Sequence, residues 1–343
     1  MERIDIDKKY RVVSLFAGIG GFDIGFQNAG FDIIWANDFD KYACETYKAN
    51  VGDNIVCDDI RNQLKNIPDH DILIGGFPCQ PFSTLGKLKG FEDDRGTMFF
   101  YIKQIAEEHD TKILVLENVK NIMHHNNGKT FKKIITELEK MGYYCNYDVM
   151  NTADFGIPQR RNRMYIVAFN KKYFPKTPFV FPKAQELKVT TQDLLDEKVD
   201  EKYFISKKML PTILGEGTKG YIVKPTIDMP ISKTLTATMH KMHRASQDNY
   251  FTDNINSVGI SESKSNIRKL TPNECRKLQG FPSDWKQVVS DTQAYKQFGN
   301  AVTVDVSYNV AKNLMNYIDE NGKMGGLKWE VIILRKQKML KKC

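Results

Sequence analysis

The chain of 343 residues is short of several features that would assign it to a class at once. No apolar run approaches the ~18 residues that a membrane-spanning helix needs, so no membrane association is expected. The N-terminal stretch Met1-Glu2-Arg3-Ile4-Asp5 is charged and lacks the apolar core of a signal peptide, which makes the cytoplasm the expected compartment. Six cysteines (44, 57, 79, 145, 275 and 343) include no Cys-x-x-Cys pair. That spacing argues against a zinc site and against a disulfide framework, and reduced thiols are expected. No internal repeat, low-complexity tract or Walker Lys-Ser/Thr is present. What remains is an ordinary globular composition, 41% apolar and 27% charged, on a chain long enough for a large domain and a smaller one.

The net charge of +8 is unevenly distributed. Residues 171–270 carry 17 Lys and Arg against 11 Asp and Glu, and the tail 321–343 carries seven against one. Each has a surplus of six, which leaves the rest of the chain at −4. The basic parts read either as a surface for a polyanion or as solvated faces.

Through residue 170 the pattern alternates between strand and helix. Tyr10–Phe16 is a β-rich run ending in the turn Ala17-Gly18-Ile19-Gly20-Gly21, followed by an amphipathic segment, Phe22–Asn28, with Gly30 as its C-terminal cap. Phe31–Ala36 ends at Asn37-Asp38-Phe39, where Asp38 lies about 20 residues past the glycine turn, the distance at which a carboxylate meets ribose hydroxyls in nucleotide-binding folds. A third unit ends in Cys57-Asp58-Asp59-Ile60, a fourth strand covers residues 71–74, and Lys112–Val119 forms a fifth with Glu117 near its end. Helices are expected over 97–108 and 129–141, and further strands over 143–151 and 163–169. This alternation predicts an α/β protein with a doubly wound, mostly parallel sheet. After Asn170 it stops and the chain becomes loop-rich. It resumes at Thr271, which can N-cap a helix with Pro272 at its first position and Glu274 closing a capping box. A last helix is expected from Val304 to Tyr317.

The segment Gly75-Gly76-Phe77-Pro78-Cys79-Gln80-Pro81-Phe82-Ser83 leaves the carboxyl end of the fourth strand, the sheet edge at which open α/β folds bind ligands. Pro78 and Pro81 restrict the backbone around the sulfur. An isolated cysteine is usually a buried structural one; here its position marks Cys79 as a candidate nucleophile. None of the six histidines is placed to act as its general base, which argues against a thiol protease. A thiol beside a carboxylic acid suits conjugate addition to an electron-poor ring, with Glu117 supporting a ring nitrogen. The arginine cluster in Gln159-Arg160-Arg161-Asn162-Arg163 can lower a thiol pKa or hold phosphate.

With these residues in hand, the sequence resembles the DNA cytosine-5 methyltransferases, most closely the short bacterial restriction–modification type. Phe16–Gly21 matches the family's cofactor loop, Gly75–Ser83 its Pro-Cys-Gln motif, Glu117-Asn118-Val119 its Glu-Asn-Val motif and Gln159–Arg163 its Gln-x-Arg-x-Arg motif. Arg268–Pro282 and Gly299-Asn300-Ala301-Val302 match the last two, in family order. The resemblance implies a Rossmann-like S-adenosylmethionine-dependent fold with a smaller target-recognition domain. The implied division is a catalytic and cofactor domain over 1–171, recognition over 172–265, a return to the catalytic domain over 266–320 and a basic tail over 321–343.

The resemblance also implies roles. Cys79 attacks C6 of a flipped cytosine, Glu117 bonds its N3 and amine, and Arg161 and Arg163 steady the nucleotide, with Arg163 also orienting Glu117. S-adenosylmethionine, leaving as S-adenosylhomocysteine, lies against Phe16, Gly18, Gly20, Asn300 and Val302. Asp38 takes its ribose, Phe39 its adenine, Asp59 and Ile60 the adenine rim, and Pro78 and Met98 the methionine side. No metal is required. Gln80, Ser83 and Arg95 fall in the loop expected to close on double-stranded DNA. Thr234, Thr236, Lys241, His243 and Arg244 are candidate DNA contacts, either to base edges or to phosphates. A monomer in the bacterial cytoplasm is expected, with a cognate endonuclease as a candidate partner. Two rivals remain. One is the branch that methylates transfer RNA, whose Pro-Pro-Cys-Gln-Pro-Phe-Thr and Cys-Phe-Thr segments are not found here. The other is a silent DNA-binding relative, against which the presence of Cys79, Glu117 and Arg163 argues.

Overall fold

The computed structural model describes residues 10–77, 98–218, 221–222 and 224–321. Its centre is a seven-stranded sheet built from β1 (Arg11–Leu15), β2 (Asp32–Asp38), β3 (Ile55–Cys57), β4 (Ile72–Gly76), β5 (Ile113–Val119), β6 (Tyr143–Asn151) and β8 (Asn162–Asn170). The strand order is β3-β2-β1-β4-β5-β8-β6. Only β8 runs against its neighbours, pairing antiparallel with both β5 and β6. Between them, β7 (Gln159–Arg160) leaves the sheet and pairs instead with β12 (Ser232–Lys233) of the loop-rich region. Strand order reverses between β1 and β4, so a crevice opens outside their carboxyl ends, the usual ligand position in such sheets.

Side chains alternate across each strand, and the sequence supplies an apolar residue on both faces. On one face Val12, Ile72, Ile74 and Val115 meet Phe22 and Phe26 of α1 (Gly21–Asn28) together with Val306, Val310 and Leu314 of the final helix. On the other, Val13, Leu15, Leu73, Leu114 and Leu116 meet Phe99, Ile102 and Ile105, then Ile134 and Leu138. The helices in sequence are α2 (Lys41–Asn50), α3 (Ile60–Gln63), α4 (Met98–Glu108), α5 (Lys129–Lys140), α6 (Leu210–Ile213), α7 (Pro272–Lys277), α8 (Asp291–Asn300) and α9 (Val304–Asn321). Gly25 lets α1 lie on α9, since a Cβ there would fall 2.4 Å from the Ser307 hydroxyl. The capping box at Thr271 and Glu274 forms as the sequence predicts.

The expected doubly wound, mostly parallel α/β sheet is therefore present. Four helices fall outside the sequence expectation: the single-turn α3 and α6, α2, capped by the Asp40 carboxylate, and α8, capped by Ser290. The loop-rich region is also more regular than expected. Strands β9 (Phe204–Ser206), β13 (Tyr250–Thr252) and β14 (Lys264–Lys269) form a small antiparallel sheet, and β10 (Gly217–Thr218) pairs with β11 (Tyr221–Ile222). Phe174 and Phe179 belong to the main core, grouped with Phe169 and Tyr317, whose ring centroids lie 4.2 Å apart. The packing thus continues past the boundary expected at residue 172.

Candidate active site

A cavity of about 520 Å³ sits at the reversal point between β1 and β4. The glycine turn, the ends of β2 and β5, the start of α4 and residues 296–302 all line it. Phe16 enters the turn with φ of +56°, a left-handed conformation that is uncommon and costly for an aromatic residue, and Gly18 and Gly20 follow with φ of +58° and +84°. The turn is held from the next strand, for Gly18 N–H donates to Asp38 Oδ2 at 2.8 Å. Asp40 N–H donates to Oδ1 at 2.9 Å. Burial raises the Asp38 pKa above its ordinary value despite these bonds.

Beside Asp38, the ring of Phe39 is 77% exposed, unusual for an aromatic side chain and suited to a stacking partner in the cavity. Asp59 also lines the cavity, but its carboxylate is engaged by the Arg61 backbone N–H and guanidinium, at 3.0 and 2.5 Å, and those hydrogen bonds lower its pKa. Ile60 is buried behind it. Met98, Asn300 and Val302 close the other walls. Gly21 is needed here because a Cβ would fall 2.1 Å from the Val302 carbonyl oxygen.

The opposite end of the cavity holds Glu117, buried on β5 and paired with Arg163 Nε at 3.1 Å. Burial raises the Glu117 pKa, and Arg163 and then Arg161 oppose that rise. Gly76 is its ladder partner, and a Cβ at that position would stand 3.3 Å from Glu117 Oε2. Asn118 Nδ2 donates to the Phe77 carbonyl at 2.8 Å, fixing the chain where it enters the Pro-Cys-Gln segment. Pro78, Cys79, Gln80, Ser83 and Arg95 lie outside the described residues.

Arg161, expected to steady a nucleotide, lines the same cavity as Glu117 and Arg163. Its side chain is 2% exposed, Nη1 donates to the Leu235 carbonyl at 2.9 Å, and Nη2 donates to those of Gly299 and Ala301 at 3.1 and 2.7 Å. These bonds join the loop-rich region to the 299–302 loop. Gln159 reinforces the joint, accepting from Leu235 N–H at 3.0 Å and donating to the Leu278 carbonyl at 2.7 Å. Burial, with Arg163 nearby, brings the Arg161 pKa down to about 9.

Of the candidate DNA contacts, Thr236 and Lys241 are exposed and Arg244 is half-buried. Thr234 Oγ1 donates to the Arg160 carbonyl at 2.6 Å. The His243 Nδ1 is tied to Asp248 Oδ2 at 3.1 Å. Sequence reasoning gave no role to Asn118, Gln159 or Asp23. The first two stand inside recognised motifs; nothing in the sequence marks Asp23. Its carboxyl is fully buried under the glycine turn, accepts from Ser14 Oγ and Tyr47 OH at 3.0 Å each, and has its pKa pushed up by burial to about 6. Among the described residues no group of three or more His, Cys, Asp or Glu side chains is arranged to hold a metal. None of the described helices is long and apolar enough to cross a membrane.

Comparison with known proteins agrees with this geometry. The family model for C-5 cytosine-specific DNA methylase matches residues 10–316. The chain is 41% identical over 322 residues to the Type II methyltransferase M.SsoII of Shigella sonnei, covering 91% of this chain and 81% of that protein. It is 38% identical to M1.ScrFI of Lactococcus lactis subsp. cremoris, covering 92% and 80%. In fold it is similar to Spodoptera frugiperda DNMT2, in the crystal structure of a triple mutant, with a TM-score of 0.72 at 22% identity over 90% of this chain and 100% of that one.

Proposed function

The chain belongs to the C-5 cytosine-specific DNA methylase family, and from that premise we propose how its residues divide the work. It is a DNA cytosine-5 methyltransferase of the Type II restriction–modification kind. Methylation in this family depends on S-adenosylmethionine, and the cavity suits that molecule. Phe39 offers an exposed ring for adenine, and Asp38 stands in the cavity as the candidate for the ribose hydroxyls. When bound, S-adenosylmethionine supplies an electrophilic methyl group.

The chain's own residues prepare the acceptor. The cytosine must leave the duplex, since a stacked base cannot offer both faces. Cys79, assigned from its motif, attacks C6 as thiolate. Glu117 supports the ring at N3, where negative charge collects. Burial raises its pKa toward the protonated form that N3 needs, and Arg163 holds the carboxyl in line. Loss of the C5 proton and release of Cys79 restore the aromatic ring. Arg163 lines the same cavity, as does Arg161, and both are candidates to steady the nucleotide.

Residues from about 172 to 265 are the proposed target-recognition region, with Thr236 and Lys241 as exposed candidates for DNA contact. A monomer in a bacterial cytoplasm, acting beside an endonuclease of the same site, is the proposed setting. The observation carrying the reading is the pairing of Glu117 with Arg163 in one cavity with the Asp38 turn. Bisulfite sequencing of DNA from a host making the full chain, beside Cys79→Ser, tests it. Protected cytosines in one short motif, absent in the variant, are expected. Absence of protected DNA cytosines with folded, cofactor-binding protein would overturn it.

A further inference from the structure

Cys44 and Cys57 lie directly behind the turn that carries Asp38 and Phe39. Cys44 is buried in α2, and Cys57 is exposed at the end of β3. Cys57 is the ladder partner of Asp38. The Asp38 carbonyl accepts from Cys44 Sγ at 3.4 Å and from Asp58 N–H at 3.1 Å, and that amide belongs to the peptide following Cys57. The Cys44 thiol therefore meets the Cys57–Asp58 peptide over a single oxygen. Cys57 stands two residues on from Ile55, hence on the strand face against which Cys44 packs. Cys145 and Cys275, by contrast, lie on other elements, in β6 and α7.

We propose that Cys44 and Cys57 are a redox-modification site, which an oxidant of the peroxide class converts to a disulfide that weakens the cofactor cavity in front of it. This rests on the reading of that cavity as the S-adenosylmethionine site. Cys57, the exposed thiol, meets the oxidant. Its sulfur takes one peroxide oxygen as the O–O bond breaks, giving a sulfenic acid and one water. Cys44 Sγ then bonds to Cys57 Sγ, the S–OH bond breaks, and the leaving hydroxide departs with the Cys44 proton as a second water. Two thiols are oxidised and one peroxide is reduced. Burial and the neighbouring Cys57 push the Cys44 thiol well above its ordinary pKa, which leaves it inert while Cys57 is reduced; what makes it the resolving thiol is its place beside Cys57.

The structural consequence follows from the shared carbonyl. Disulfide formation removes the S–H donor to Asp38 O and draws α2 toward β3. The Asp38 carboxylate, which holds Gly18 of the cofactor loop, stands on that same residue. Loss of one such hydrogen bond corresponds to about fivefold in affinity. In reducing compartments disulfides of this kind are transient and sensory rather than structural.

Peroxide would also attack Cys79, so the test uses the full chain carrying Cys79→Ser, and binding rather than turnover as its readout. The protein is treated with hydrogen peroxide, mapped by mass spectrometry, and titrated with S-adenosylhomocysteine before oxidation, after it and after dithiothreitol. A cross-linked peptide pair containing Cys44 and Cys57, two hydrogens lighter, is expected. Affinity should fall about fivefold and recover on reduction, and neither change should occur when Cys57→Ser is added. Absence of the linked pair would overturn the modification site. A linked pair with unchanged affinity would overturn its connection to the cavity. Failure of the reduced protein to bind S-adenosylhomocysteine at all would instead overturn the cofactor reading, while the linked peptide would still report on the dithiol.

Discussion

Arg161 Nη1 donates to the main-chain carbonyl of Leu235 at 2.9 Å, across 74 residues of sequence. With its bonds to Gly299 and Ala301, the same guanidinium spans the proposed recognition region and the loop bounding the cofactor cavity. Arg161→Lys keeps the charge but replaces a fixed fork by one ammonium, which cannot reach all three carbonyls. Leaving buried acceptors unmet should destabilise the protein by about 2–4 kcal/mol. Chemical denaturation measures this. In the fraction that folds, KM should rise more than kcat falls; a fall in kcat alone would return Arg161 to direct contact with the reacting base.

Asp23 supplies a pH-dependent term. Its pKa is raised in the folded protein from 3.8 to about 6. The native state therefore binds its proton more tightly than the unfolded chain does. The stabilisation is fully present below about pH 4 and is lost as the pH rises through about 6, a difference of roughly 3 kcal/mol at most. Asp23→Asn keeps the shape, can still accept from Tyr47 and removes the titration. The change in unfolding free energy between pH 5 and pH 8 should be smaller in this variant than in the parent. An identical pH profile would show that Asp23 does not titrate in that window.

Gly299 is confined by the Thr236–Ala237 peptide, since a Cβ on it would lie 2.2 Å from the Thr236 carbonyl carbon and 2.3 Å from Ala237 N. Both obstacles are backbone, so no rotamer change relieves them. Gly299→Ala should cost about 1–3 kcal/mol, as overpacking does. It should also move Asn300, weakening S-adenosylhomocysteine binding in a calorimetric titration. Unchanged affinity with lowered stability would separate the joint from the cavity.

The parts of this site that were legible in the sequence are those that rest on local chemistry. The alternation through residue 170 gave the sheet, and Thr271, Pro272 and Glu274 gave the start of α7. The carbonyl bonds of Arg161 were not legible, because the acceptors belong to residues 74 to 140 positions away, and a carbonyl carries no residue signature. Helix α8 escaped because only Ala294, Tyr295 and Phe298 form its buried apolar stripe, too few for the helical period to stand out. The pairing of His243 with Asp248 was not legible either, because the two meet through a local fold of the chain rather than a helical spacing.

Glu117 remains the sharpest test of the chemistry. Its carboxyl is buried, its pKa is raised by that burial, and Arg163 Nε stands 3.1 Å away. Glu117→Gln preserves shape and can still accept from Arg163, but it cannot supply a proton to N3. Removing one positioned acid typically costs 10²- to 10⁴-fold, about 3–5 kcal/mol of barrier. Single-turnover methylation with saturating S-adenosylmethionine and DNA should show that loss, while S-adenosylhomocysteine binding stays within about twofold, less than one hydrogen bond's worth. A rate near that of the parent would mean that N3 draws its support from elsewhere, with Arg163 the next group in the cavity to examine. Where Glu117→Gln does lose rate, a matching loss in Arg163→Lys would indicate that the pair acts as a unit, since groups that act together give strongly non-additive effects when removed singly.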